Sequence, residues 1–275
     1  MKKNQSRTFV GTEAELQRMT RELDEMHNDL GMPAMWEGVE RMIDAHHAET
    51  ALNQHSSRRR FLFGAGAAAV GGAALLSVGA PSLAGALTRP SQAATKDSRE
   101  ASVFPPSGLK GDLAVAAVAA SLENLAVFAY TAGLSAATAG KLGTVPPAVA
   151  TFATTARAQH TQHATAWNAV LRAHGKARVT TTNPTLTPTV KSDFAKVTNV
   201  VELANLALLL ETIAAETYQV ETSKLMSTEA IGLSASIQPV EMQHIAILYY
   251  VLGEYPGAQN PAGQPLAFSA TSKAV

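Results

Sequence analysis

The chain has 275 residues, 22 basic and 22 acidic side chains in balance, and no cysteine. A chain without basic excess offers no face for neutralising phosphate, so nucleic acid is excluded as an expected partner. The missing thiol excludes disulfides, thiolate metal sites, iron–sulfur clusters and a cysteine nucleophile.

Residues 1–56 read as an N-terminal extension that is partly helical. Leu16, Met19, Leu23, Met26 and Leu30 recur at spacings of three and four within a helical pattern from Glu13 to Glu49, the signature of an amphipathic helix. His46 and His47 stand beside Glu49 on a polar stretch and read as solvated, without chemistry.

Residues 57–94 carry a different message. From Ser57 to Ala86 a basic cluster is followed by a long uncharged Gly/Ala-rich run, Pro81 and an Ala84-Gly85-Ala86 site of the kind that peptidases cut. The opening Ser57-Arg58-Arg59-Arg60-Phe61-Leu62 resembles the twin-arginine consensus, with Arg58 and Arg59 as its paired arginines. That resemblance implies the twin-arginine translocation machinery as a partner and a periplasmic, cell-wall or extracellular destination. The alternative is a retained anchor with the rest of the chain outside, because Phe61–Leu87 exceeds the roughly 20 residues that span a bilayer. Membrane contact would then run through residues 61–87. Arginines ahead of the run place residues 1–56 in the cytoplasm in either case.

Residues 95–110, with Pro105 and Pro106, read as a linker, and 256–275 as a flexible tail. Between them, residues 111–255 hold four long helical patterns, at about Asp112–Gly140, Pro147–Gly175, Phe194–Leu225 and Pro239–Glu254. A Thr/Pro stretch, TTTNPTLTPTV, separates the second from the third; it is expected not to be helical and is long enough to cross the end of a bundle. No strand-like alternation stands out, so the fold class is all-α: an antiparallel four-helix bundle with a crossover between its second and third helices.

Self-comparison singles out the polar residues that matter. LENLAVFAY at 122–130 matches LETIAAETY at 210–218, aligning Glu123 with Glu211 and Tyr130 with Tyr218. HTQHATAWNAVL at 160–171 matches EMQHIAILYYVL at 241–252, aligning His160 with Glu241, Gln162 with Gln243 and His163 with His244. The bundle is therefore two copies of one helix pair. Glu123 and Glu211 each sit in an apolar run that directs the carboxylate inward, which costs heavily unless it is paired or binds a cation. His160 with His163, and Glu241 with His244, are (i, i+3) pairs whose side chains share a helix face and reach a common centre.

One inward glutamate from each of two helices, with an (i, i+3) pair from each of the other two, is the ligand arrangement of dinuclear carboxylate bundles. The sequence resembles the exported bacterial ferritin-like domain family over roughly residues 110–255. The resemblance implies a ferritin-like bundle with Glu123, His160, His163, Glu211, Glu241 and His244 as metal ligands, two iron ions as cofactor (manganese or zinc as alternatives) and iron or peroxide redox chemistry of a ferroxidase or peroxidase kind. The departure is His160, which stands where the pattern has a bridging glutamate; a neutral imidazole ligates one metal and removes a negative charge, so a mononuclear or asymmetric centre stays open. Tyr130 and Tyr218 are candidates for hydrogen bonds to the ligands, with core packing as the stronger expectation. Trp167, Met242 and Tyr249 read as packing, and Glu216 lies about 140° round its helix from Glu211 and stays outside the ligand set. The competing reading is a metal-free or non-catalytic bundle with a stress-protective or membrane-tethered structural role. A homodimer is the other expected partner.

Overall fold

The structure is a computed structural model that describes residues 12–66 and 108–253, with side chains described over 12–53 and 108–253. The side chains of Arg58 and Arg59, the apolar run beyond residue 66, most of the 95–110 linker and the 256–275 tail lie outside the described residues. The helices are α1 (Glu13–Met26), α2 (Met32–Gly66), α3 (Asp112–Thr138), α4 (Pro147–Ala173), α5 (Thr187–Phe194), α6 (Val200–Thr222) and α7 (Thr228–Leu252), with a π-helical stretch (His27–Gly31) joining α1 to α2. Among the described residues, 12–46 and 108–253 form one compact unit, while 47–66 belong to a second.

α3, α4, α6 and α7 pack antiparallel as a four-helix bundle. α3 lies along α4 and α6 along α7, and the two pairs meet chiefly through α3 and α6. α3 is long and apolar enough to cross a membrane by composition, yet two thirds of its most apolar window is buried in the bundle and it carries Glu123 inward, as a core helix does.

Local chemistry sets the helix ends. Pro147 opens α4, where its missing N–H costs nothing. Asn199 caps α6 by accepting from the Glu202 amide at 2.9 Å, while Glu202 reaches back to the Thr198 amide at 2.8 Å. Two sequence expectations need correction. α7 begins at Thr228, not at Pro239: Ser227 caps it, and Pro239 sits in the helix interior, where tertiary packing outweighs the lost hydrogen bond. The Thr/Pro stretch is not wholly irregular, because α5 starts inside it with a proline in the first turn; α6 accordingly starts at Val200 and not at Phe194.

The crossover itself is pinned to the bundle. The Asn183 amide donates to the Ser121 carbonyl at 3.0 Å. Asn124 donates to the Val179 carbonyl at 2.9 Å, and Asn168 bonds both the amide and the carbonyl of Val179. Ser121 and Asn124 flank Glu123, so the crossover braces α3 at the turn that carries a candidate ligand.

Residues 12–46 of the N-terminal extension pack on the bundle. Leu16 and Leu23 enter a core with Phe152, Ile247 and Leu248, and Met35, Val39 and Met42 enter another with Ala116, Trp167 and Leu233. The expected stripe fails after Leu23, since Met26 is 43% and Leu30 70% exposed. α1 turns positions 16, 20, 23 and 27 inward at regular helical spacing, which buries His27 and leaves Met26 outside; the π-helical stretch then inserts one residue, so the next inward positions are 35, 39 and 42. His46, expected in solvent, is half-buried with its ring 4.1 Å from that of His174. At Gly38 a Cβ would stand 3.1 Å from the Leu233 backbone, so α2 touches α7 through a glycine. Gly38→Val is expected to cost about 1–3 kcal/mol by overpacking, read as a lowered denaturation midpoint, with bundle helicity retained. An unchanged midpoint would show that this crossing does not hold the arm.

Candidate metal centre

Four helices place six side chains at the middle of the bundle. α3 supplies Glu123, α4 His160 and His163, α6 Glu211, and α7 Glu241 and His244; all are at most 2% exposed. His160 spans the two single glutamates, with Nδ1 2.8 Å from Glu123 Oε2 and Nε2 3.2 Å from Glu211 Oε1. His163 Nδ1 lies 3.1 Å from Glu241 Oε1 and 3.5 Å from Glu123 Oε2. His244 Nδ1 lies 3.4 Å from Glu211 Oε2 and 3.6 Å from Glu241 Oε2. Every residue expected to ligate is therefore brought together, and Glu216 is not among them.

The six fall into two overlapping groups, Glu123 with His160, His163 and Glu241, and Glu211 with His160, Glu241 and His244; within each, one donor atom per residue lies within 4.8 Å of the others. Glu241 and His160, the aligned pair of the repeat, are the shared members. The repeat is thus visible as an approximate twofold relation in which a carboxylate on one side faces an imidazole on the other.

The phenols do more than pack. Tyr130 on α3 donates to Glu211 on α6, and Tyr218 on α6 donates to Glu123 on α3, so each copy of the repeat orients the glutamate of the other. Trp167, expected only to pack, is fully buried and also donates its Nε1–H to the Tyr218 hydroxyl at 2.9 Å.

The model for the ferritin-like domain matches residues 111–254. The chain belongs to the ferritin-like domain family. No curated protein and no solved structure matches it.

Around this ferritin-like site lie residues that the sequence analysis missed. The Gln159 Oε1 lies 2.8 Å from His244 Nε2, and its amide nitrogen reaches Asp24 of the arm at 3.5 Å. His27, fully buried in the π-helical stretch, has Nε2 2.7 Å from Gln162 Oε1 and its ring edge-on to His163 at 5.3 Å between centroids. Amide and carboxylate partners of this kind fix the tautomer and ring plane of a ligating histidine. The repeat alignment had marked Gln162; His27 was legible only as a member of the 16, 20, 23, 27 spacing, which a polar residue in an apolar stripe obscured.

Burial alone would raise the pKa of Glu123 and Glu211 and lower that of His160, His163 and His244, and the mutual attraction of the two sets overrides it. Burial works against ionisation of Glu123, yet His163 and His160 hold it down at about 2, and Glu211 is likewise lowered by His160 and His244. His163 is raised to about 9 against its own burial by Glu123 and Glu241; His160 and His244 move the same way. His27 is the opposite case: burial first, then the charge of His163, lowers it to about 4, so it stays neutral. Burial, then the neighbouring carboxylates, keeps both phenols protonated as donors.

Three carboxylates and three imidazoles suit two divalent cations. Donors about 2.1 Å from one ion lie up to about 4.2 Å apart, so each group needs only a small inward closure to hold an ion. Glu241 Oε2 is buried without a hydrogen-bond partner, an acceptor that a cation held by the shared carboxylate would satisfy. The two overlapping buried groups could hold two metal ions.

Proposed function

We propose that this ferritin-like bundle binds two iron ions and serves iron or peroxide redox chemistry, with manganese or zinc as the competing metals. The observation that carries the reading is that Glu241 and His160 belong to both groups, which is how a dinuclear site differs from two unrelated ion pairs. A ferrous pair would supply the electrons for reduction of oxygen or peroxide. The chain's own part is to hold the ligands in place. Tyr130 and Tyr218 fix the carboxylate planes of Glu211 and Glu123, and Gln159 fixes the ring of His244. Walls of Leu, Ala and Phe keep bulk water away. The histidines must release protons to bind metal, so uptake delivers protons to solvent.

We further propose export by the twin-arginine route through Arg58 and Arg59, on the strength of the motif and the apolar run after it.

One observation favours the metal-free alternative. With His160 in place of a fourth carboxylate, three imidazoles face three carboxylates at 2.8, 3.1 and 3.4 Å, a set that can pair internally without any cation. The deciding experiment is metal analysis of the purified full chain, followed by stopped-flow absorbance on mixing the ferrous protein with oxygen or peroxide. The expected result is two ions per chain and a single-turnover ferric absorbance absent from the zinc-loaded protein. A chain that retains no ion at micromolar free metal sinks the redox reading and leaves the structural one.

A further inference from the structure

Beside the six-residue centre, at the end of the bundle where α3 and α7 finish and α4 and α6 begin, lies a partly open cleft of about 60 Å3. That is several times the roughly 10–15 Å3 that admits one water, room for a narrow row of small groups. Of its lining residues only Tyr130 has a polar side-chain atom, and that hydroxyl is already engaged by Glu211. Small residues make up much of the wall, among them Ala126, Ala137, Ala153, Ala204 and Ala207. Apolar walls left facing water are covered favourably by an apolar guest.

The shape and the floor of the cleft restrict the guest further. The lining positions on α3 run from Ala126 to Ala137, an axial length of about 16 Å at 1.5 Å per residue. An elongated guest fits this better than a compact one. Any polar group carried inside would lose its hydration without a partner, so the guest's polar end stays at the mouth. The floor is aromatic: Tyr130 stacks on His160 at 5.7 Å, and Phe152 meets the His244 ring edge-on at 6.0 Å. One ring therefore separates the inner end of the cleft from two of the six site residues.

We propose that this cleft binds an unbranched hydrocarbon chain of the fatty-acid class, inserted tail first with its end against Tyr130 and Phe152. Such a ligand would make the ferritin-like centre one that acts beside a lipid chain. That consequence rests on the metal reading above; the binding itself does not.

The test uses the full-length protein, metal-free and iron-loaded, titrated with a fluorescent polyene fatty acid and competed with dodecanoic acid. Saturable binding by the metal-free protein is expected, and Ala204→Phe and Ala153→Phe, which fill the cleft, should weaken it at least tenfold with metal content unchanged. Val200→Trp, nearer the mouth, is the second variant if either filled protein loses helicity. Absence of saturable binding overturns the proposal, including the case where the chain's own 61–87 segment or a second copy occupies the cleft. Equal binding by all folded variants overturns it as well. Binding without retained iron sinks the metal reading alone, and iron without binding sinks the cleft alone.

Discussion

Replacing Glu241 with alanine is expected to empty both halves of the centre, while Glu211→Ala empties only one. Glu241 is the carboxylate that belongs to both groups; without it each keeps one glutamate and two histidines, of which His160 must be divided between them. Loss of a ligating carboxylate should exceed the roughly 10–100-fold that an outer-layer change costs in affinity, so metal content should fall from two ions per chain to nearly none. Mass-spectrometric metal analysis after dialysis reads this directly, with circular dichroism to confirm the helices. Two retained ions in the Glu241→Ala protein would show that the overlap of the groups is not what holds the metals. His160→Glu should do the reverse and tighten binding, most of all for ferric ions, because it restores the negative charge that His160 lacks.

Stripping the ions is expected to lower the thermal midpoint by more than 10 °C at pH 7, and by an amount that grows with pH. A ligand at about a thousand times its dissociation constant stabilises by about 4 kcal/mol per site, and each kcal/mol moves the midpoint of a domain this size by about 2–4 °C. The pH dependence of the metal-free protein follows from the shifted groups. His163 is raised from 6.5 to about 9, so the stability it contributes is complete below 6.5 and is lost as pH climbs through 9. Glu123 is lowered from 4.5 to about 2, so its contribution is present above 4.5 and is lost as pH falls through 2. His27, lowered from 6.5 to about 4, must stay neutral in the fold and penalises it as pH drops from 6.5 to 4. The metal-free midpoint should therefore peak near 6.5 and decline on both sides. Metal affinity should rise with pH over the window in which the histidines lose their protons. Calorimetry at pH 5, 7 and 9 with and without chelator separates the two trends; parallel curves would show that the metals, if bound, do not displace these protons.

The bundle and its six central residues were legible in the sequence because a duplicated helix pair betrays which polar positions are held in register. A single copy of LENLAVFAY would have left Glu123 indistinguishable from a buried ion-pair partner. The aligned tyrosines were legible as well, but not their crossed bonding, since an alignment shows equivalence and not which copy each phenol reaches. Helix ends were harder. Pro239 argues for a boundary by its own chemistry, and the burial of Ala230, Leu233 and Ile237 on α7 overrides it. The arm was misread for a subtler reason. Leu16, Met19, Leu23, Met26 and Leu30 make a regular stripe on paper, but α1 turns 16, 20, 23 and 27 inward, burying His27 and exposing Met26, and the π-helical stretch then shifts the register by one residue. Local periodicity carries no record of such a slip.

Residues 12–46 and 108–253 fold as one unit, with Asp24 reaching Gln159, the partner of His244, and His27 bonding Gln162. A lipid bilayer cannot pass through the middle of a folded body. Whatever course residues 47–107 take, their two flanks must come to rest on one and the same face of any membrane while this body is intact. Translocation that left residues 12–46 behind would have to peel them off, wetting the partners of Leu16, Leu23, Met35, Val39 and Met42. The compartment of the arm and the integrity of the centre are therefore a single question.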